Sequence, residues 1–286
     1  MGILVFFVFL LIWVLPLFLK QRKSGFVSWK RILIAVAMGL APATAVLLLL
    51  QFALGWILKF LNISEYPQIY NFVTSFITAA CIEEFTKYYF ADKVMQKQYA
   101  YKKIDCMMLF GAVGLGYEIV ESLMMGVTNP LAAVVRGAFA GHVMYQFIMA
   151  SHYFEYKKAQ QQGNERRAKW QKFLMFFVPI AAHGLNDYII TFAPSTDIED
   201  SIAQSLAVIL LVVLLNLVVL IIGLFKAYRS MKDETVIKNE EKKQTKKDTR
   251  NLRKTERLYQ SALVHRRRFF RRELPAARIS SHACGH

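Results

Sequence analysis

The sequence predicts an all-α, polytopic membrane helical bundle of about seven transmembrane helices, with the N-terminus outside and the C-terminus in the cytosol. Three observations carry this reading. Apolar runs of about 20 residues, the length of a bilayer-spanning helix, recur along the 286 residues, 55% of which are hydrophobic. Those runs lack the polar faces that a soluble domain of this length would show. Basic residues gather in alternate loops between the runs.

The runs lie at about 3–19, 32–58, 69–91, 104–126, 131–156, 173–193 and 202–225. The first has no basic segment before it and no small-x-small cleavage site, so it reads as a retained helix rather than a signal peptide. The second exceeds what a bilayer needs and is expected to tilt, or to kink at Pro42. Pro130 opens the fifth and Pro194 closes the sixth. Residues 1–225 form the transmembrane domain. Residues 226–286 are polar and basic and read as a disordered cytosolic tail. Its end, His265-Arg266-Arg267-Arg268-Phe269-Phe270-Arg271-Arg272, is suited to anionic lipid.

Charge sets the orientation. The loops 20–31, 92–103 and 157–172 and the tail hold every lysine and arginine except Lys59, Lys87 and Arg136. The segment 194–201 is acidic, with Asp197, Glu199 and Asp200. An odd number of spans puts the basic segments on one side, and the positive-inside rule makes that side the cytosol. The net charge of +16 therefore belongs to a membrane surface, and no nucleic-acid module stands behind it. The three cysteines, Cys81, Cys106 and Cys284, have no disulfide or zinc-finger spacing. His282, Cys284 and His286 are too few and too near a flexible end to argue for a metal.

One stretch breaks the apolar pattern. Cys81-Ile82-Glu83-Glu84-Phe85-Thr86-Lys87 lies inside the third run, where each charge costs about 2.5–3.5 kcal/mol on insertion scales. Other helices bring polar groups too. Glu118 and Glu121 share a face of the fourth, Arg136 and His142 lie in the fifth, and His183 and Asp187 lie one turn apart on the sixth. At about 1.5 Å per residue, Glu83 sits roughly 20 Å below the outer end of its span. Glu121 sits roughly 9 Å below, His142 18 Å, His183 17 Å and Asp187 11 Å. Helices running in alternating directions thus place these groups in one slab, between mid-bilayer and the outer face.

Carboxylates, imidazoles and a cation in such a slab suit hydrolysis. A glutamate can act as a general base on water, and histidine can stabilise an oxyanion. Alternatively, Glu and His can hold zinc. Inside a membrane, the bond to be cut is a peptide bond of a membrane-spanning substrate. HExxH and GxSxG are missing, as is any Cys–His pairing. Blander roles stand beside these. Glu83, Glu84 and Lys87 can be a structural ion-pair network. Arg136 can snorkel. Gly111, Gly114 and Gly116 read as close-packing residues, not a nucleotide loop. A proton-coupled transporter uses the same residue types, and a non-catalytic membrane scaffold or immunity protein can retain them.

The residues resemble the PrsW family of intramembrane proteases, within the group that includes CAAX prenyl endopeptidases and bacteriocin-processing proteins. The E-E-x-x-K motif matches Glu83-Glu84-Phe85-Thr86-Lys87. The aromatic-x-x-x-Glu motif matches Tyr117 to Glu121, with Tyr117 where the family usually has Phe. The R…GH segment matches Arg136 and Gly141-His142, and His-Gly-x-x-Asp matches His183 to Asp187. The resemblance covers roughly residues 1–225. It implies a multi-pass enzyme of the bacterial cytoplasmic membrane that cuts a single-span membrane protein near its outer side. An anti-sigma factor is the family's example, cut as the first step of regulated proteolysis. It implies that Glu83 or Glu84 activates water with Glu121. His142, His183 and Asp187 would then hold a metal or the oxyanion, and Lys87, Arg136 and Glu118 would give support. The metal candidates are Glu121, His142, His183 and Asp187, with zinc on the metal route and no cofactor on the glutamate route. No small-molecule cofactor is evident.

Overall fold

The structure is a computed structural model, and it describes residues 16–17, 19–23, 25–128, 139, 141–191 and 198–238. Most of the first expected run, part of the fifth, Arg136 and the tail from residue 239 lie outside them.

The long second run is one helical rod in three parts: α1 (Trp29–Met38), a π-helical turn π1 (Gly39–Ala43) and α2 (Thr44–Phe60). Pro42 sits in π1. Proline has no N–H and crowds the preceding turn, and the wider π turn absorbs it without ending the helix. Thr44 Oγ1 donates to the Gly39 carbonyl at 3.0 Å, giving that carbonyl a partner where the ladder changes. The rod ends at Asn62, which takes a left-handed conformation (φ 52°).

Pro67 starts the next rod, in the position where a missing N–H costs nothing. It comprises α3 (Pro67–Phe72), π2 (Val73–Cys81) and α4 (Ile82–Gln96). Threonine hydroxyls lean back onto the ladder here. Thr74 Oγ1 donates to Tyr70 O at 2.8 Å, and Thr78 Oγ1 to Val73 O at 3.5 Å. Each π turn holds an extra residue, so π2 resets which face of α4 points inward. Glu83, Glu84 and Lys87 are buried on that face, while Phe85 and Tyr89 are exposed.

Next come β1 (Ala100–Lys102), α5 (Lys103–Thr128), α6 (Gly141–Gln161) and α7 (Glu165–Thr191). They are followed by α8 (Ile198–Lys232) and β2 (Val236–Lys238). A tight turn joins α6 to α7: Gly163 has φ 69°, and Asn164 Oδ1 accepts from Arg167 N at 3.0 Å as a helix cap. α6 is the central helix. Every residue from His142 to Ser151 is buried, and its main neighbours are α5 and α7. The outward faces are apolar: Phe173, Phe177 and Ile190 of α7, and Ile209, Leu210, Leu214 and Ile221 of α8, are exposed as lipid-facing residues are.

Four helices among the described residues are long and apolar enough to cross a bilayer: Trp29–Phe60, Lys103–Met124, Glu165–Ile190 and Ala207–Lys232. The protein is an all-α integral membrane protein. The third expected run is helical throughout, and the described part of the fifth is α6. Both are more polar because they carry groups that face each other inside the bundle, shielded by their neighbours.

The sequence reading places residues 226–286 in a disordered tail. Instead, α8 and β2 continue the packed unit to Lys238. β2 pairs antiparallel with β1, Tyr101 opposite Ile237, and Lys102 binds Glu234 beside the ribbon. Below it, the fully buried Asp105 ties three segments together. It accepts from Lys102 N (2.8 Å), Phe26 N (3.0 Å), Val27 N (3.2 Å) and Gln21 Nε2 (3.3 Å). Being in the first turn of α5, it also meets the positive end of that helix.

Asp105→Ala leaves those donors without their acceptor. The loss expected is on the order of 3 kcal/mol, read as a fall in the thermal unfolding midpoint in detergent. Asp105→Asn, which keeps one acceptor oxygen, should lose less. An unchanged midpoint for Asp105→Ala would contradict the role given to this side chain.

Candidate functional site

Lys87 is fully buried and central. Its Nζ lies 2.9 Å from Glu84 Oε1, 3.3 Å from Glu83 Oε2 and 2.8 Å from His142 Nδ1. An ammonium has three protons to donate and nothing with which to accept, so these three acceptors exhaust it. Its remaining side faces the Tyr117 ring, 4.3 Å from the centroid. Because Lys87 can only donate, His142 Nδ1 must accept. The ring proton is then on Nε2, where it donates to Glu121 Oε2.

The backbone of α6 is fixed at the same point. His142 N donates to Glu118 Oε2 at 3.0 Å, so Glu118 supplies an acceptor to an N–H of the first turn. Its other oxygen, Oε1, is buried without a hydrogen-bond partner among the described residues. Close packing of α5 on α6 allows this contact. A Cβ at Gly114 would lie 2.7 Å from the His142 carbonyl oxygen and 2.8 Å from Gln146 Cγ. Glycine is required there by contact between the two backbones, as the small-residue reading expected.

α7 closes the cluster from its own side. His183 Nδ1 is 3.1 Å from Glu84 Oε1, while Nε2 is 3.4 Å from Asp187 Oδ2 and 3.8 Å from Glu83 Oε2. Carboxylates thus flank both ring nitrogens. A bare nitrogen there faces a like charge unless a proton or a metal ion stands between. The two imidazoles lie 5.1 Å apart.

The structure therefore brings Glu83, Glu84, Lys87, Glu118, Glu121, His142, His183 and Asp187 into one connected network. Arg136 lies outside the described residues. Three contributors escaped sequence reasoning. Gln146 Nε2 donates to Glu84 Oε2 at 2.8 Å; it lies one turn beyond His142, and that spacing was a usable signal. Tyr145 stacks on His183, centroids 5.1 Å apart; nothing distinguishes it from a core aromatic. Asn216, a lone amide in the apolar α8, donates to Asn186 Oδ1 at 2.6 Å. Asn186 in turn reaches Asp187 Oδ1 at 3.3 Å.

The network is closed on one side and open on the other. Glu84 is wholly enclosed, with Oε1 engaged by Lys87 and His183 and Oε2 by Gln146. Glu121 and Asp187 are about a quarter exposed. These are the two acidic groups that the sequence places nearest the outer ends of their helices.

The donor set fits a metal ion. Donor atoms of Glu83, His142 and His183 all lie within 4.8 Å of one another, and two imidazoles with a carboxylate are a familiar zinc set. This grouping takes in Glu83, which was expected as a base rather than a ligand. Glu121 and Asp187 instead touch the two imidazoles, the position from which a carboxylate orients a ligating histidine. The charge balance also welcomes a cation: among the described residues of the network, five carboxylates meet one ammonium. Such a set can take a proton from water, present donors to a developing oxyanion, or hold a divalent cation.

A family model described as PrsW family intramembrane metalloprotease matches residues 27–220. No curated protein and no solved structure matches the chain.

Lys87→Met leaves Glu83 and Glu84 buried without their cation, and should destabilise the fold by roughly 3–5 kcal/mol. The double variant Lys87→Met/Glu84→Gln should recover part of that loss. Unfolding of both in detergent by added denaturant measures the coupling, and strictly additive losses would contradict the pairing.

Proposed function

The chain belongs to the PrsW family of intramembrane metalloproteases, and from that premise we propose how its site cuts a single-span membrane protein with a glutamate-activated water. The observation that carries the proposal is the joining of Glu83, Glu84 and His142 by the Lys87 ammonium, with His183 tied in through Glu84, within an integral membrane protease.

Glu83 is the base. Glu84 is enclosed, and both its oxygens are occupied, so its part is to hold Lys87, His183 and Gln146 in register. Glu83 is engaged through Oε2, while Oε1 makes no hydrogen bond among the described residues. A water at Oε1 gives its proton to Glu83 as its oxygen attacks the scissile carbonyl. The Nε2–H groups of His142 and His183, turning from Glu121 and Asp187 as the substrate enters, stabilise the oxyanion. Glu83 then returns the proton to the leaving amine, so no proton is lost or gained over the cycle.

A second reading is favoured by the spacing of the Glu83, His142 and His183 donor atoms. In it these three residues would hold a divalent cation, His142 through the Nδ1 that Lys87 would then release, while Glu121 and Asp187 would orient the two histidines. Such a cation, when bound, supplies Lewis acidity and a water acidic enough to ionise near neutral pH. Glu121, about a quarter exposed, would be the carboxylate placed to take a proton.

The substrate enters on the side of Glu121 and Asp187. The proposed orientation has seven spans, the N-terminus outside and the basic segments in the cytosol, within the cytoplasmic membrane of a bacterium. It turns this open side toward the outer face. A single-span protein of the anti-sigma-factor kind, cut near its outer end, fits that access, and such a cut would begin a regulated cascade. The basic tail would rest on anionic lipid.

Glu83→Gln should lower cleavage of a co-expressed single-span protein by about 10²–10⁴-fold while the purified variant elutes and unfolds like the parent. Undiminished cleavage removes Glu83 as base and as ligand alike. Metal content separates the two readings. About one zinc per chain, with activity lost to a chelator and restored by zinc, selects the metal route. A metal-free chain with unchanged activity selects the glutamate route.

A further inference from the structure

A second cavity, of about 610 Å³, lies among α5, α6, α7 and α8 at the end of the bundle that carries the basic loops. It is separate from the proteolytic cluster: His152 in its wall stands ten residues beyond His142 on α6, roughly 15 Å along the helix. Its reading goes beyond the proposed protease function and does not depend on it.

One wall is cationic. Lys103 and Arg167 share Glu155, at 3.0 and 2.9 Å. Lys158, Lys226 and Arg229 also line the cavity, with Asp233 as its other acid. Five cations thus meet two carboxylates. Lys226 makes an unusual contact. Its Nζ lies 3.2 Å from His152 Nε2, and His152 Nδ1 lies 2.7 Å from Gln171 Oε1. The ammonium only donates, so Nε2 must be bare. The ring proton is on Nδ1 and goes to Gln171, and the imidazole is neutral. Lys226 is therefore positioned by a partner that does not cancel its charge.

The other wall is apolar. Ile221, Ile222 and Phe225 line the cavity from α8, and all three are exposed on its lipid-facing side. Lys226 is six residues from the end of α8 at Lys232, roughly 9 Å, which is headgroup depth. A soluble anion has no use for the Ile222–Phe225 wall. A zwitterionic headgroup brings a cation of its own to a wall already in excess of positive charge.

We propose that this cavity binds one anionic phospholipid, its phosphodiester held by Lys226, Arg229 and Lys158 and its acyl chains lying along Ile221, Ile222 and Phe225. This site lies within the packed helices and is distinct from the tail's basic run.

The test is native mass spectrometry of the full chain in detergent, titrated with phosphatidylglycerol or phosphatidylcholine. One saturable phosphatidylglycerol should bind, at least about tenfold tighter than phosphatidylcholine. The double variant Lys226→Gln/Arg229→Gln should bind it about thirty-fold more weakly, each lost cation costing about fivefold. Lys158→Gln, on another helix, should lose about fivefold and keeps the proposal testable if the double variant does not fold. Replacing the tail's Arg266, Arg267, Arg268, Arg271 and Arg272 by Gln should leave this site unchanged. Millimolar inorganic phosphate or glycerol phosphate should fail to displace the lipid. Equal affinity for the two lipids overturns the proposal, as does wild-type binding by a folded Lys226→Gln/Arg229→Gln or Lys158→Gln chain. Loss on changing the tail, or displacement by free phosphate, overturns it too.

Discussion

The whole interior is arranged to satisfy one ammonium. Lys87 has no route to water, so its three protons must meet acceptors within the bundle, and they meet Glu83, Glu84 and His142. That demand joins α4 to α6. The carboxylates in turn need donors, which Gln146 and His183 supply, and so α7 is drawn in. Glu118 and Glu121 on α5 complete the circle through the His142 backbone and ring. A buried ion pair of this kind adds little net stability, because desolvation offsets most of its attraction. What it contributes is position: moving any one helix leaves a charge without its partner.

The packing around the cluster follows from that demand. α6 has polar groups along its length, yet from His142 to Ser151 it is buried on every side because its neighbours supply the lipid-facing surface. Gly114 lets α5 approach closely enough for Glu118 to reach the His142 N–H. The nine residues of π2 reset the phase of α4, so that Glu83, Glu84 and Lys87, which share one helical face, turn inward together. The helices that fall outside the apolar norm for a membrane span, α4 and α6, have partners for their polar groups on α5 and α7.

Much of this was legible in the sequence because hydrocarbon is unforgiving of charge. Glu83, Glu84, Lys87, Glu118, Glu121, His142, His183 and Asp187 each stood out as costly in an apolar run, and common depth linked them across four helices. Gln146 did not stand out, because an uncharged amide in a helix carries too small a penalty. Tyr145 was indistinguishable from core. Pro42 marked the first π turn as a place where the helix departs from regularity, but π2 leaves no mark in composition, since threonine hydroxyls bonding back to carbonyls are common in regular helices too. The β1–β2 ribbon joins segments more than 130 residues apart, and three-residue strands have no readable period. Asp105, at the start of the fourth run, carried no signal in the sequence, and only its contacts with Phe26 and Lys102 make it a lock.

The central claim is that the Lys87 ammonium donates to His142 and thereby sets the state of the whole cluster. Solid-state nitrogen NMR of the ¹⁵N-histidine-labelled chain in lipid bilayers, with His142 assigned by subtracting the spectrum of His142→Asn, reads this directly. The account predicts a bare Nδ1 close to the Lys87 ammonium and a proton on Nε2. A neutral His142 ring with its proton on Nδ1 could not accept from Lys87, and would contradict it.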